Sequence, residues 1–196
     1  MEQRYVHMLN LVNRISKLDA LEEQLIMNSF KPFNLVKGAC FLESGKINRH
    51  VAFLHSGLVR YFVYNDGDEA TFEFTKEGEF IADYQSFNNK TPSLQNIQAI
   101  EDCEMLIINY SDLQNIFKKV SNGNLIGRII IEHRFEVMVR QLLAIYMQGH
   151  VERYKSFIEN YSNLAQRIPQ YHIASYVGVK PPSLSRIRRK FANDIS

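Results

Sequence analysis

Residues 57–74 read GLVRYFVYNDGDEATFEF, and this stretch decides the fold. Leu58, Arg60, Phe62 and Tyr64 alternate with Val59, Tyr61 and Val63. After a turn at Asn65-Asp66-Gly67-Asp68, the residues Thr71, Glu73 and Thr75 alternate with Phe72 and Phe74. A period of two puts successive side chains on opposite faces, which is strand geometry, and Asp-Gly supplies the positive φ of a tight hairpin. The same period extends from residue 33 to 109. Short strands recur every ten residues or so, with Gly38, Gly45, Gly57, Gly67 and Gly78 as punctuation. That spacing predicts an all-β sandwich or closed roll.

Helical patterns flank the roll. Residues 2–28 read as helical, with Ser16 and Asp19 resembling a capping box and Leu18, Leu21, Leu25 and Ile26 at helical spacing before Pro32. Ser111 is the expected N-cap of DLQNIFKK, and Ser121-Asn122-Gly123-Asn124 marks a pause before the longest helix, 125–148. Within it Ile131, Phe135, Met138, Leu142 and Ile145 step by 4, 3, 4 and 3, a heptad seam about two heptads long. Ile129, Ile130, Val139, Leu143 and Tyr146 widen the apolar surface. The helix is therefore expected to pack on its own β-roll and, through the five seam residues, on a second copy.

The bulk composition narrows the class. With 45% hydrophobic residues in 196, the chain can bury a substantial core. No window reaches the ~18 apolar residues of a membrane span. Residues 1–10 carry Glu2, Arg4 and His7, unlike a signal peptide, so the expected location is the cytoplasm. Cys40 and Cys103 form no CxxC pair and read as small buried hydrophobes. The net charge of +2 is uneven: from Asn160 onward six bases face one acid, giving +5 and leaving −3 elsewhere. One end of the molecule suits an anionic partner.

That end contains QYHIASYVGVKPPSLSRIRRKF, residues 170–191. Ile173, Ala174, Tyr176 and Val177 make a short apolar face, Gly178 can end a helix in the left-handed region, and Val179 plugs the turn. Pro181 and Pro182 fall in the first turn of the next helix, where a missing N–H does little harm. Leu184 and Ile187 hold that helix to the first. This is helix-turn-helix spacing, and the second helix presents Ser183, Ser185, Arg186, Arg188, Arg189 and Lys190. Arginine can fork onto guanine, while lysine and serine suit phosphates. Gln170, Tyr171 and Lys180 complete the expected DNA contacts, with double-stranded DNA as partner.

Taken whole, the chain resembles the Crp/Fnr superfamily of transcription regulators, in particular short members of Bacteroidetes type. IASYVGVKPPSLSRIRRKF looks like that family's helix-turn-helix, SGLVRYFVYNDGDEATFEFTKEGEFIADYQSF like the strands entering its cyclic-nucleotide-binding roll, and IQAIEDCEMLIINYSDL like those leaving it. The resemblance implies an α+β fold: an N-terminal jelly roll (double-stranded β-helix), a long dimerisation helix and a C-terminal winged-type helix-turn-helix. It divides the chain into a sensor at 1–122, the helix at 123–149 and a DNA-binding domain at 150–196. It implies a homodimer on a palindromic operator, its recognition helices about 34 Å apart, with RNA polymerase as a further expected partner.

The sequence also departs from the family. Cyclic-AMP-binding members use a Gly-Glu pair on the ribose and phosphate and an Arg-Ser pair on the phosphate; matched without gaps, these fall on Ala82-Asp83 and Ser93-Leu94. The guanidinium is missing and Asp83 is a like charge, so a buried phosphate would lack compensation. Lys90 is the one base between Asp83 and Ile100. Cyclic nucleotide is disfavoured as a cofactor. A neutral or aromatic ligand near Tyr84 and Phe87, or no ligand, is favoured. In the reader helix, Pro182 stands where the family commonly places a polar base-reader, leaving Arg186 to read bases, with Ser183 and Ser185 assisting.

Two other classes compete. A cupin-type metal enzyme would need clustered ligands, whereas His7, His50, His55, His133, His150 and His172 include no His-x-His pair. No Walker loop, nucleophile elbow or HExxH is present, so neither a catalytic residue nor a metal site is expected. A sensor or scaffold that has lost DNA binding is the other: Lys180 is a poor N-cap, and Pro181-Pro182 could distort the reader helix.

Overall fold

The computed structural model describes residues 2–195; Met1 and Ser196, the ends of the expected domains, lie outside them. By internal contacts the chain forms two compact units, one of residues 1–61 with 74–135 and one of residues 62–73 with 136–196.

The first unit opens with α1 (Glu2–Ile15) and α2 (Ala20–Ser29). The helix expected over 2–28 is broken in two, and the capping box sits three residues later than expected. Asp19 is the N-cap, accepting the Leu21 and Glu22 amides, and Glu22 returns the bond to the Asp19 amide. Two orphan donors are satisfied reciprocally, so the chain stops and restarts at this point. Helix α2 ends at Ser29, and Pro32 lies within the strand that follows.

Eight strands come next: β1 (Lys31–Leu35), β2 (Cys40–Leu42), β3 (His50–Ser56), β4 (Val59–Asn65), β5 (Asp68–Thr75), β6 (Phe80–Ile81), β7 (Asn96–Ala99) and β8 (Cys103–Asn109), with the short helix α3 (Tyr84–Asn89) after β6. They form two four-stranded sheets, ordered β1-β8-β3-β6 and β2-β7-β4-β5. The chain passes repeatedly from one sheet to the other, which makes a jelly roll. Strand β3 pairs antiparallel with β8, Phe53 opposite Leu106, with a register shift between Leu54 and Ser56.

Helix α4 (Tyr110–Lys119) is capped by Asn109, whose side chain accepts the Asp112 amide; the expected cap, Ser111, lies inside the helix. Helix α5 follows (Gly123–Met147). Met8, Leu9 and Val12 of α1, Ile26 of α2, Ile116 of α4 and Ile126 of α5 meet Phe53, Leu106 and Ile108 on one face of the first sheet. Ala52, Leu54 and Met105 alternate with these and are fully buried on the other face, inside the roll. On α1, His7 Nδ1 lies 3.3 Å from His55 Nδ1, a pair that sequence spacing does not announce.

The hairpin read from residues 57–74 is present as β4 and β5. Arg60, Thr71, Glu73 and Thr75, the polar partners in the alternation, are all buried. Arg60 is 1% exposed, and its Nε and Nη2 both donate to Gln98 Oε1 at 2.9 and 2.7 Å. A buried guanidinium is tolerated only when so bonded. Both cysteines are free. Cys103 is buried as expected, and its thiol is pushed up to about 11 by that burial, whereas Cys40 is half-buried.

Gly57 joins β3 to β4 at φ +100°, and a Cβ there would meet Asp102 O at 2.6 Å and Cys103 Cα at 2.9 Å. Gly57→Ala combines a forbidden dihedral with a backbone clash. It should cost at least about 2 kcal/mol of stability in urea titration; a loss below about 0.5 kcal/mol would contradict this geometry.

Candidate functional site

The second unit carries the helices that follow α5: α6 (His150–Asn160), α7 (Gln170–Val177) and α8 (Pro181–Ile195). No strand follows β8 among the described residues, so the paired helices stand without the strands of the expected wing. Tyr154, Phe157, Leu164, Ile168, Ile173, Ala174, Val177 and Leu184 are buried, and the Phe157 and Tyr176 rings lie 5.5 Å apart. Burial pushes the Tyr176 phenol up, and the nearby Glu73 carboxylate adds to it, against a hydrogen bond from Tyr161.

The turn between α7 and α8 is a Schellman closure. Gly178 sits at φ +81° with its amide donating to Ala174 O and Ser175 O, and the Val179 amide donates to Ala174 O at 2.9 Å. The positive φ is what requires glycine; a Cβ would also meet the end of the Arg153 side chain, Nη2 at 2.8 Å, which can move aside. The proline pair does not distort α8: the Ser183 and Leu184 amides donate to Lys180 O at 2.9 and 3.2 Å, and the helix runs on to Ile195.

Leu184, Ile187 and Phe191 face inward on α8, Leu184 at 1% exposure. Pro182, Ser185, Arg186 and Arg189, at i, i+3, i+4 and i+7, share the opposite face. Ser185, Arg186, Arg188, Arg189 and Lys190 are exposed, and Ser183 is half-buried at the flank. No guanidinium of this helix is buried against its own unit. Arg188 Nη1 donates to Gln170 Oε1 at 2.5 Å, so two expected contact residues are already tied across the helix pair. Tyr171 is 59% exposed with its ring against His172, 4.1 Å between centroids.

Two residues outside the expected set hold this helix pair. Lys180 Nζ is bonded to both Asp68 oxygens, at 2.8 and 2.7 Å. Ser175 Oγ donates to Glu69 O at 2.6 Å and accepts the Thr71 amide at 2.9 Å. The hairpin tip therefore grips α7 and the entry to α8. These pairs span more than a hundred residues, and no local pattern marks them.

The cassette positions lie in the first unit. Asp83 caps α3, its Oδ1 accepting the Ser86 amide, and its Oδ2 lies 2.7 Å from Ser93 Oγ. Ala82 donates its amide to the Tyr61 hydroxyl at 3.1 Å. Leu94 is 86% exposed. Tyr84 is also exposed, and the Phe87 beside it is buried with its ring 5.6 Å from Tyr110. These residues do not fit a cyclic phosphate. Ser93 stands at the position of the expected cation, its hydroxyl is bonded to the Asp83 carboxylate, and the Tyr61 hydroxyl has taken the Ala82 amide. Lys90 Nζ lies 5.3 Å from the Tyr110 ring centroid.

On α5 the expected seam residues Ile131, Phe135, Met138, Leu142 and Ile145 are all exposed. Ile130, Arg134, Val137, Gln141 and Ala144 form the half-buried face. Among the described residues no group of three or more His, Cys, Asp or Glu side chains could hold a metal ion, and no helix is long and apolar enough to cross a membrane.

Residues 32–120 match the cyclic nucleotide-binding domain family. No curated protein matches the chain by sequence. Among solved structures, the chain is similar to the c-di-GMP responsive global regulator CLP of Xanthomonas campestris, at 18% identity over 90% of this chain and 93% of that one with a TM-score of 0.71. It is similar to FixK2 of Bradyrhizobium japonicum at 14% identity, 84% and 85% coverage and a TM-score of 0.73. A protein from Eubacterium rectale described as a Crp/Fnr-family regulator matches at 16% identity, 94% and 88% coverage and a TM-score of 0.68.

Three substitutions should rank by mechanism in chemical denaturation. Gly178→Ala strains a left-handed position and should cost about 2 kcal/mol; Ser175→Ala removes the bonds to Glu69 and Thr71, about 1 kcal/mol. Asp68→Asn removes an exposed ion pair and should cost under about 0.5 kcal/mol. A reversed order would contradict this description of the turn.

Proposed function

With residues 32–120 a cyclic nucleotide-binding domain and the chain folded as Crp/Fnr regulators are, we propose that this protein is a sequence-specific DNA-binding transcription regulator. It has no enzymatic activity and acts in the cytoplasm, in concert with RNA polymerase. The observation that carries the reading is α8: a helix anchored by Leu184 and a glycine turn, with Arg186 and Arg189 exposed on the face opposite its core. Such a helix can enter a major groove while α7 crosses the backbone. Arg186 reads base edges with Ser183 and Ser185 at its side; Arg189 and Lys190 hold phosphates, and Gln170, with Arg188 tied to it, positions the start of α7 beside Tyr171 on the backbone. Lys180 reaches phosphate only by leaving Asp68.

The second element is the exposed seam on α5. An apolar stripe of Ile131, Phe135, Met138, Leu142 and Ile145 left open to water calls for a partner. Its heptad spacing suits a second copy of the same helix. A two-fold pair of readers then matches a palindromic operator. The sensor roll does not respond to cyclic AMP, a reading supported by the mismatch between the cassette residues and a phosphate.

Arg186→Ala should relax base preference at one operator position, costing on the order of 1–3 kcal/mol on the preferred sequence. Arg189→Ala should weaken all duplexes alike and lower the salt slope by about 1. Binding isotherms on operator and scrambled duplexes at several salt concentrations separate the two, and identical behaviour of both variants would contradict the assignment. Leu142→Glu should convert a species of twice the 22.9 kDa chain mass into the single chain in light scattering; an unchanged mass would remove the α5 seam from the interface.

A further inference from the structure

Tyr61 lies among valines on β4, yet it is a phenol, 2% exposed. A buried hydroxyl requires a partner, and this one accepts the amide of Ala82 at 3.1 Å. Its ring lies 5.9 Å from the Arg134 guanidinium on α5, within cation–π range. One side chain thus joins the cassette segment to the long helix. The cassette is closed on the other side as well. Asp83 Oδ2 pairs with Ser93 Oγ, which also receives the Gln95 amide at 3.0 Å. Asn48 donates its side-chain amide to Asp83 O and its backbone amide to Ser86 Oγ. The polar atoms of Asp83 and Ser93 that a diffusible ligand would need are satisfied from within the chain, and Tyr61 has the Ala82 donor.

We propose that Tyr61 is the resident occupant of the effector chamber: its phenol takes the place of a diffusible ligand, binding the Ala82 amide with its hydroxyl and Arg134 with its ring face. The roll is then held in one arrangement by its own sequence, and regulatory input enters by another route. This rests on reading the roll as the sensor of a regulator, but its test needs no DNA and fails separately from that reading.

Tyr61→Ala leaves a space shaped for the missing ring, with the Ala82 amide at its polar end and the Arg134 guanidinium on the side of the ring face. The free side chain, p-cresol, should therefore raise the melting temperature of Tyr61→Ala by several degrees at moderate excess and leave the natural protein unmoved. Cyclic AMP and cyclic GMP should move neither. In Tyr61→Phe the ring stays and the Ala82 amide loses its acceptor, so its hydrogen exchange should quicken by up to about ten-fold. Stabilisation of the natural protein by either cyclic nucleotide overturns the proposal. So does a folded Tyr61→Ala protein indifferent to p-cresol, or an Ala82 amide that exchanges equally in both proteins. Should Tyr61→Ala fail to fold, the Ala82 exchange rate in Tyr61→Phe decides alone.

Discussion

One turn governs what the C-terminal unit can present. Gly178 at φ +81° reverses the chain between α7 and α8, and the Val179 amide closes that reversal on Ala174 O. Val177 and Leu184, one on each side of it, are both buried. Once Leu184 is inside, helical geometry leaves no freedom: Arg186 and Arg189 must point away from the core. The placement of the positive charge follows from a backbone dihedral and one buried apolar side chain.

The roll handles polarity in the opposite way. Arg60, Asp83, Ser86, Ser93 and Asn96 are buried and bonded within the chain. Unbonded, each would cost a kilocalorie or more. Such a network fixes one arrangement of strands and loops, since a shift that breaks one bond orphans others. A phosphate entering this network would have to displace the Ser93 hydroxyl from a charged acceptor and would meet Asp83 itself. An exposed arginine helix and a closed roll are thus two answers to the same desolvation cost.

Local chemistry was legible in the sequence, and long-range chemistry was not. The hairpin at residues 57–74, the glycine turn and the α8 register all depend on neighbours close in sequence, and each is present. The helix starts were misread by two or three residues because Ser16, Asp19, Asn109 and Ser111 are all competent caps; packing of α1, α2 and α4 on the sheet chose among them. The alternation assigns Arg60 and Glu73 no exposure, and burial on both faces of a sheet is a tertiary fact. Tyr61 carried a weak signal, a polar-tipped ring in a valine register. Its partner Ala82 and the ring's neighbour Arg134 could not be read from the chain. The same holds for Asp68 and Lys180, which lie 112 residues apart.

Selection from a pool of random duplexes by the purified full-length protein, repeated across a range of salt concentrations, tests the central claim most directly. The account predicts an enriched two-fold-symmetric sequence whose affinity falls steeply with salt, as phosphate contacts release counterions. Recovery of no sequence above background, with retention of duplex independent of salt, would contradict it.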